Sequence, residues 1–198
     1  MESDLRLHSA AFTLEFRIDA PLQGAQLGCG FLLDWSTPLP SLGSAAPVGP
    51  GVRVGPGYPD WGFYGYLGSS TSAWSYDVSS GDLVFDTESV LTGLPRLAPD
   101  TANATLVMCA ELPRDGNGQV TFALDGAPPS PPLVLPRGAV LIPAAVLLAD
   151  GQQVSLGALV RTPLSHERVQ QLQAQADRVR CPTGSRPDRD GQCSRHET

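Results

Sequence analysis

The sequence predicts an all-β protein, an antiparallel sandwich of two sheets, and three observations support that prediction. Apolar and polar residues alternate over short stretches, most clearly in residues 12–18, a period of two that is typical of strands with one buried face. The chain has 21 Gly and 19 Pro among its 198 residues, which favours many turns over long helices. Apolar residues make up 41% of it, which is enough for the core of one domain.

Two strands are predicted near the N-terminus. The first has Thr13, Glu15 and Arg17 on its polar face. The second, at residues 26–33, is almost continuously apolar and therefore more buried, and its glycines permit close approach of another backbone. Cys29 lies within it and is expected to be a buried small hydrophobe. The apolar face of the first strand consists of Phe12, Leu14, Phe16 and Ile18.

A β-hairpin is predicted over residues 68–85. Trp74 and Tyr76 stand two positions apart, and residues 79–81 turn the chain. Leu83 and Phe85 then lie on one face of the returning strand. We expect Trp74 to be the aromatic anchor buried between the two sheets, because large aromatic side chains contribute most to such cores.

A second hairpin is predicted from three consecutive features. Residues 105–112 indicate a largely buried strand, residues 115–118 a Gly-rich turn, and residues 120–124 an alternating strand. Cys109 lies in the first of these strands and, like Cys29, is expected to be buried. The last two strands are predicted at residues 140–148 and 153–157, on either side of an Asp-Gly turn.

Residues 36–60 are rich in Pro, Gly and Ser and show almost no periodicity. Such a stretch inside a compact domain is typical of a binding loop or of a disordered insertion, and the sequence leaves both open. Aromatic residues crowd around its end, and Trp, Tyr and Arg dominate the energetics of protein interfaces. We therefore predict five partner-binding residues, Trp35, Arg53, Tyr58, Trp61 and Tyr64.

A short amphipathic helix is predicted after the sandwich. Thr162 and Pro163 supply a cap and a first-turn proline, and the apolar stripe is narrow, so we expect it to pack against the sandwich rather than against another molecule. The stripe consists of Val169, Leu172, Ala176 and Val179. The predicted layout is a lead-in at 1–10, a sandwich at 11–160 with its long loop at 36–60, a helix at 161–180 and a disordered tail at 181–198.

Several motifs resemble, in order, those of SPRY domains. Residues 67–69 followed by 73–77 resemble the central signature of that family, with Ser75 where Gly is usual. Residues 121–126 and 140–148 resemble its later strands. The resemblance implies a concanavalin-like jelly roll and an adaptor that binds peptides or protein surfaces through loops at one end. The motif sequences are most similar to those of SPRY modules found with SOCS or F boxes, although no such box is recognisable in the tail.

The composition excludes several kinds of chemistry. All thirteen basic side chains are Arg and none is Lys, which excludes a lysine Schiff base or a P-loop lysine. Residues 9–165 contain no His, so the predicted sandwich lacks the usual proton shuttle. We expect no enzymatic activity and no cofactor. We also expect no metal, because a fourth zinc ligand is missing beside Cys181, Cys193 and His196.

Charge and hydropathy favour a protein or peptide partner. The net charge of −7 argues against nucleic acid and anionic membranes, which both require a basic surface. No apolar run reaches the length that spans a bilayer, and the N-terminus lacks the features of a signal peptide. We expect a monomer in the cytoplasm of the cell.

Two alternatives remain open. An acidic cluster near the first hairpin offers several oxygens for a cation or a sugar, as in a lectin-like or calcium-binding sandwich, although a solvated hairpin edge is the simpler interpretation. A structural element that assembles through the terminal helix is the other alternative. The acidic cluster consists of Asp77, Asp82, Asp86 and Glu88.

Overall fold

The computed structural model describes residues 5–20, 26–33, 73–85, 88–180, 185–187 and 193–195. Two five-stranded antiparallel sheets pack face to face around one core, as the sequence predicted. The strands are β1 (Ala10–Ile18), β2 (Leu27–Leu33), β3 (Ala73–Asp77), β4 (Asp82–Phe85), β5 (Glu88–Leu91), β6 (Ala104–Leu112), β7 (Asn117–Leu124), β8 (Leu133–Arg137), β9 (Leu141–Leu147), β10 (Val154–Thr162), β11 (Ser185–Pro187) and β12 (Cys193–Arg195).

Each sheet is built from strands that are distant in the chain. Sheet I has the order β10-β1-β6-β7-β8, and sheet II the order β5-β4-β3-β2-β9. β10 and β8 are therefore the edges of sheet I, and β5 and β9 those of sheet II. The short strands β11 and β12 pair with each other within the tail, a pairing that the sequence did not predict.

The alternation in β1 confirms its predicted inner face, since every second side chain from Phe12 to Ile18 is buried. The expectation for Cys109 was wrong, because its side chain is exposed. β6 alternates like β1 rather than being buried on both faces, so Cys109 lies on the outer face of sheet I, between its strand neighbours Thr13 and Thr121. Cys29 is buried as expected.

Two glycines occur where no other residue fits. A Cβ at Gly30 would collide with the backbone carbonyl of Trp74 on the neighbouring strand, so this glycine permits the close approach of β2 and β3. Gly81 closes the β3–β4 turn with a φ of 76°, a left-handed conformation that glycine adopts without strain. Its carbonyl accepts the N–H of Leu94 at 3.0 Å, which fastens the β5–β6 connection to the turn.

The helix α1 (His166–Arg180) follows β10 and packs against sheet I at β7. Leu172 and Ala176 are buried, which agrees with the expected intramolecular packing. The predicted cap was wrong: Thr162 ends β10, and the side chain of Ser165 accepts the N–H of Arg168 at 3.1 Å. Ser165 is preferred at this position because its oxygen satisfies a free N–H of the first turn. No helix in the described part of the chain is long and apolar enough to cross a bilayer.

Candidate functional site

The pairing registers show which connections share each end of the sandwich. Leu33, the last residue of β2, pairs with Leu141, the first of β9, and Leu141 also bridges to Leu7, which leads into β1. Because neighbouring strands are antiparallel, β1, β3, β5, β7 and β9 all begin at this end, which we call the Leu33 end. The opposite end carries the β3–β4 turn, and we call it the Asp77 end.

The five predicted partner-binding residues lie outside the described residues, but the strands on either side of them are described. Leu32 of β2 pairs with Ala73 of β3. Segment 34–72 therefore leaves sheet II and returns to it on two neighbouring strands, both at the Leu33 end. The fold fixes these two attachment points next to each other. The residues concerned are Trp35, Arg53, Tyr58, Trp61 and Tyr64.

An aromatic layer lies beneath these attachment points. The ring of Trp74 stacks on Phe31, with centroids 6.4 Å apart and planes 23° apart. Phe31 in turn stacks on Phe122 of the other sheet at 6.5 Å, and Tyr76 packs against Phe122 at 5.8 Å. This layer joins the two sheets directly below the point where segment 34–72 begins and ends.

Tyr76, rather than Trp74, is the buried anchor of the first hairpin. Only 1% of Tyr76 is exposed, whereas Trp74 is half-buried and lies at the border of the core. The Tyr76 hydroxyl donates a hydrogen bond to the carbonyl of Pro95 at 2.5 Å. Strand spacing predicted that both rings face inward, but it does not reveal how far sheet I covers each of them.

The titratable groups of this core are held in their neutral forms. Burial raises the pKa of the Tyr76 hydroxyl to about 12 and that of the Cys29 thiol to about 12, because a charge is poorly solvated in an apolar surrounding. A thiol that stays protonated is a poor nucleophile. Both groups therefore serve packing and hydrogen bonding.

Two exposed arginines stand on adjacent connections at the Leu33 end. Arg114 lies in the β6–β7 turn and Arg137 at the end of β8. The two connections are joined by a hydrogen bond from the N–H of Gly138 to the carbonyl of Gly116 at 3.2 Å. Neither guanidinium makes an ion pair with another described residue. A guanidinium group can bind a carboxylate through two parallel hydrogen bonds.

The Asp77 end is rich in acidic side chains. Its connections and strand ends carry six aspartates alongside Arg96. The Leu33 end is mixed in charge, since the exposed Asp115 follows Arg114 in the β6–β7 turn. The aspartates are Asp19, Asp77, Asp82, Asp100, Asp125 and Asp150.

The acidic hairpin uses part of its oxygen atoms internally. One carboxylate oxygen of Asp77 accepts two hydrogen bonds from Ser79, one from its N–H at 2.8 Å and one from its hydroxyl at 2.6 Å. This arrangement is typical of turns. Asp82 accepts the hydroxyl of Ser89 at 3.3 Å. Among the described residues, no group of three or more His, Cys, Asp or Glu is placed to hold a metal ion. The side chains of Asp86 and Glu88 lie outside the described residues.

One polar cluster was missed by the sequence analysis. Glu111 of β6 accepts two hydrogen bonds from Arg168 of α1, both at 2.7 Å, and another from Gln119 of β7 at 2.5 Å. The guanidinium hydrogen bonds hold the pKa of Glu111 below its usual value. Hairpin geometry places Gln119 opposite Glu111, but no sequence signal links Glu111 to a helix 57 positions away.

Comparisons with known proteins identify structural neighbours but no sequence relatives. No family model and no curated protein matches the sequence. One similar solved structure is a human SPRY domain, 15% identical, which covers 75% of each chain with a TM-score of 0.43. Another is the SPRY domain of human HERC1, 14% identical, covering 82% of this chain and 80% of the other, with a TM-score of 0.44. The chain is structurally similar to SPRY domains.

Proposed function

We propose that the protein is a non-catalytic interaction module that binds a peptide or protein surface at the Leu33 end. The observation that carries the proposal is the pairing of the two strand ends that flank segment 34–72. This segment contains the five predicted partner-binding residues, and both its attachment points lie side by side above the aromatic layer. A rigid framework that presents a variable loop is the usual design of recognition modules. The SPRY-like motifs of the sequence support the same function.

The described part of the site indicates the chemistry of the partner. Arg114 and Arg137 are exposed on connections of sheet I at the same end of the sandwich, and neither makes an ion pair with another described residue. Guanidinium groups bind carboxylates with two parallel hydrogen bonds. The partner segment therefore carries an acidic residue next to the apolar groups that contact the aromatic loop residues.

Affinity capture from a lysate of the source organism, followed by identification of the captured protein, tests the proposal. The loop variants Trp35→Ala, Arg53→Ala, Tyr58→Ala, Trp61→Ala and Tyr64→Ala are expected to lose capture at the exposed positions, with thermal stability nearly unchanged. Residues that dominate an interface each weaken binding by about tenfold or more when truncated. Unfolding of all five variants would contradict the assignment.

The two arginines allow a matched comparison. Arg114→Ala and Arg137→Ala are expected to weaken binding of the captured partner and to reduce the salt dependence of its association rate. Arg96→Ala, an exposed arginine at the Asp77 end, is the control and should leave binding unchanged. Equal effects of the Arg96 and Arg114 variants would show that net charge, rather than the Leu33 end, governs recognition.

A further inference from the structure

β10 is an edge strand with an uncovered apolar surface. The exposed fractions are 54% for Leu156, 41% for Leu159 and 55% for Val160. Leu156 and Leu159 point to the inner face of sheet I, because they pair with the buried Phe16 and Leu14 of β1. Apolar side chains on an inner face are normally covered by the second sheet, and in the described part of the chain sheet II leaves these two exposed.

The other edges of the two five-stranded sheets carry proline, charge or short length, whereas β10 has only its bulge opposite Glu15. β8 contains Pro136 and Arg137, and β9 contains Pro143. β5 is only four residues long and begins with Glu88. Proline, charge and short length are the usual features that prevent an edge from adding another strand. β10 has nine residues, and residues 154–160 include neither proline nor a charged side chain.

The edge is preformed, because the elements that flank it are held in place. The side chain of the buried Gln152 accepts the N–H groups of Leu148 and Ala149 at 2.8 and 3.1 Å and donates to the carbonyl of Gln26 at 3.2 Å. These bonds fix the β9–β10 connection. In the β10 bulge, Glu15 of β1 accepts the N–H of Ala158 at 3.3 Å. A partner strand would therefore meet a surface that needs little ordering.

We propose that β10 pairs antiparallel with β10 of a second copy of this chain. A two-fold axis between residues 157 and 158 places Leu156 opposite Leu159 of the second copy, and the same contact occurs again with the copies exchanged. Both leucines lie on the inner face. The same register places Val160 opposite Ser155, and both lie on the outer face, where they pair with Thr13 and Arg17. The strand is thus self-complementary, as a two-fold interface requires.

No charge has to be buried in this pairing. Arg161, the first charged side chain along β10, stands over the ring of Phe12 in its own chain, 5.8 Å from the centroid, and lies near the end of the strand. Two identical copies, each with a net charge of −7, repel one another, but the contacting strands add nothing to that repulsion. Residues 154–160 carry no charge that an acidic or basic peptide could complement.

The size of the interface predicts a weak dimer. Nine residues at about 3.3 Å each give an edge about 30 Å long, and a single sheet layer is about 10 Å thick. Because only sheet I reaches this edge, the buried area is about 300 Å² per copy, or about 600 Å² in total, which is below the range of stable interfaces. We expect reversible association at high protein concentration only. This inference depends on β10 alone and goes beyond the recognition function of the Leu33 end.

Sedimentation velocity of the full chain over a wide concentration range tests the proposal. The mass is expected to rise with concentration from 20.8 kDa towards twice that value. Leu156→Lys and Leu159→Lys should weaken association at least tenfold, because each places a cation in the pairing. Val90→Lys is the matched control, since Val90 is 42% exposed but lies on β5, and it should associate like the unmodified chain.

Two outcomes would overturn the proposal. One is a constant monomer mass at every concentration of the unmodified chain. The other is association that the two leucine variants do not weaken while circular dichroism shows that they are folded. Binding of a different protein at the Leu33 end is unaffected by either outcome, so the two proposals fail separately.

Cross-linking tests the register. In a chain with serine at positions 109, 181 and 193, Leu156→Cys and Leu159→Cys are made as separate variants. Residues directly opposite on antiparallel strands have Cα atoms about 4.5–5.5 Å apart, within reach of a disulfide. An equimolar mixture should therefore form a disulfide-linked dimer upon oxidation, and each variant alone should form far less. Equal cross-linking by a single variant would overturn the proposed pairing.

Discussion

β1 and β10 are neighbours in one sheet, with their side chains on the same two faces, yet they meet different surroundings. Phe16 and Leu156 are paired residues on the inner face, and their exposed fractions are 1% and 54%. Leu14 and Leu159 differ in the same way. The strands share pairing geometry and apolar composition. What differs is coverage, because sheet II lies over β1 and does not extend over β10.

The comparison shows that strand pattern and burial are separate properties. Alternation specifies which face a side chain occupies, and the second sheet specifies how much water that face meets. The free energy of unfolding depends on coverage, because the hydrophobic effect is proportional to the apolar area removed from water. Variants at paired positions on β1 and β10 therefore separate the two contributions.

The largest effect on the free energy of unfolding is expected from truncating Phe16, in contrast to its strand partner Leu156. Phe16→Ala removes a fully buried ring and should lower the free energy of unfolding by about 3–5 kcal/mol, from lost burial and the remaining cavity. Leu156→Ala should change it by about 0.5 kcal/mol or less, as is usual for surface positions. Urea titration at a concentration where the chain is monomeric measures both values. Similar losses for the two variants would mean that β10 is covered in solution.

A second comparison adds a methyl group at a glycine of each side, Gly30 in β2 and Gly157 in β10. At Gly30 a Cβ would collide with the backbone of β3, whereas at Gly157 in β10 it would meet the side chains of Glu15 and Arg17. Side chains can move aside and a paired backbone cannot. Gly30→Ala is expected to cost about 3 kcal/mol and Gly157→Ala about 1 kcal/mol, measured by the same titration. If Gly30→Ala hardly changed the free energy of unfolding, β2 and β3 would be able to move apart with little loss of stability.

Trp74 provides an intermediate case between the covered and uncovered sides. Its ring stacks on Phe31 but is only half-buried. Trp74→Ala should therefore cost about 2 kcal/mol, less than full burial of an aromatic ring would imply. The more conservative Trp74→Phe keeps the stack and should recover most of the loss. A loss equal to that of Phe16→Ala would place the indole deep within the core.

The sequence was sufficient to predict the sandwich, because alternating strands and Gly-rich turns are local signals. It also predicted that Phe16 and Tyr76 face inward. It could not distinguish Cys29 from Cys109, since both lie in apolar segments and only the pairing shows which face each occupies. It did not reveal the open edge at β10, because coverage depends on the relative extent of two sheets. The predicted recognition residues, such as Trp61, remain a prediction.

The smallest effect concerns the attachment of α1, which covers part of the outer face of sheet I. Hydrogen bonds from Arg168 hold the pKa of Glu111 below its usual value of 4.5. A carboxyl whose pKa is lower in the folded than in the unfolded chain adds stability above its unfolded pKa, and this stability is lost as pH falls through the folded pKa. The ion pair is partly exposed, so its contribution is about 1 kcal/mol.

Glu111→Gln should therefore lower the free energy of unfolding at neutral pH and have little effect once the pH is well below 4.5. Urea titrations of both chains across this range measure the difference. Glu15→Gln on β1 is the matched control, because its partner Arg17 is more exposed and its ion pair is longer, at 3.3 Å. A difference between Glu111→Gln and the unmodified chain that persists unchanged in acid would show that Glu111 supports α1 by shape and hydrogen bonding, and not by its charge.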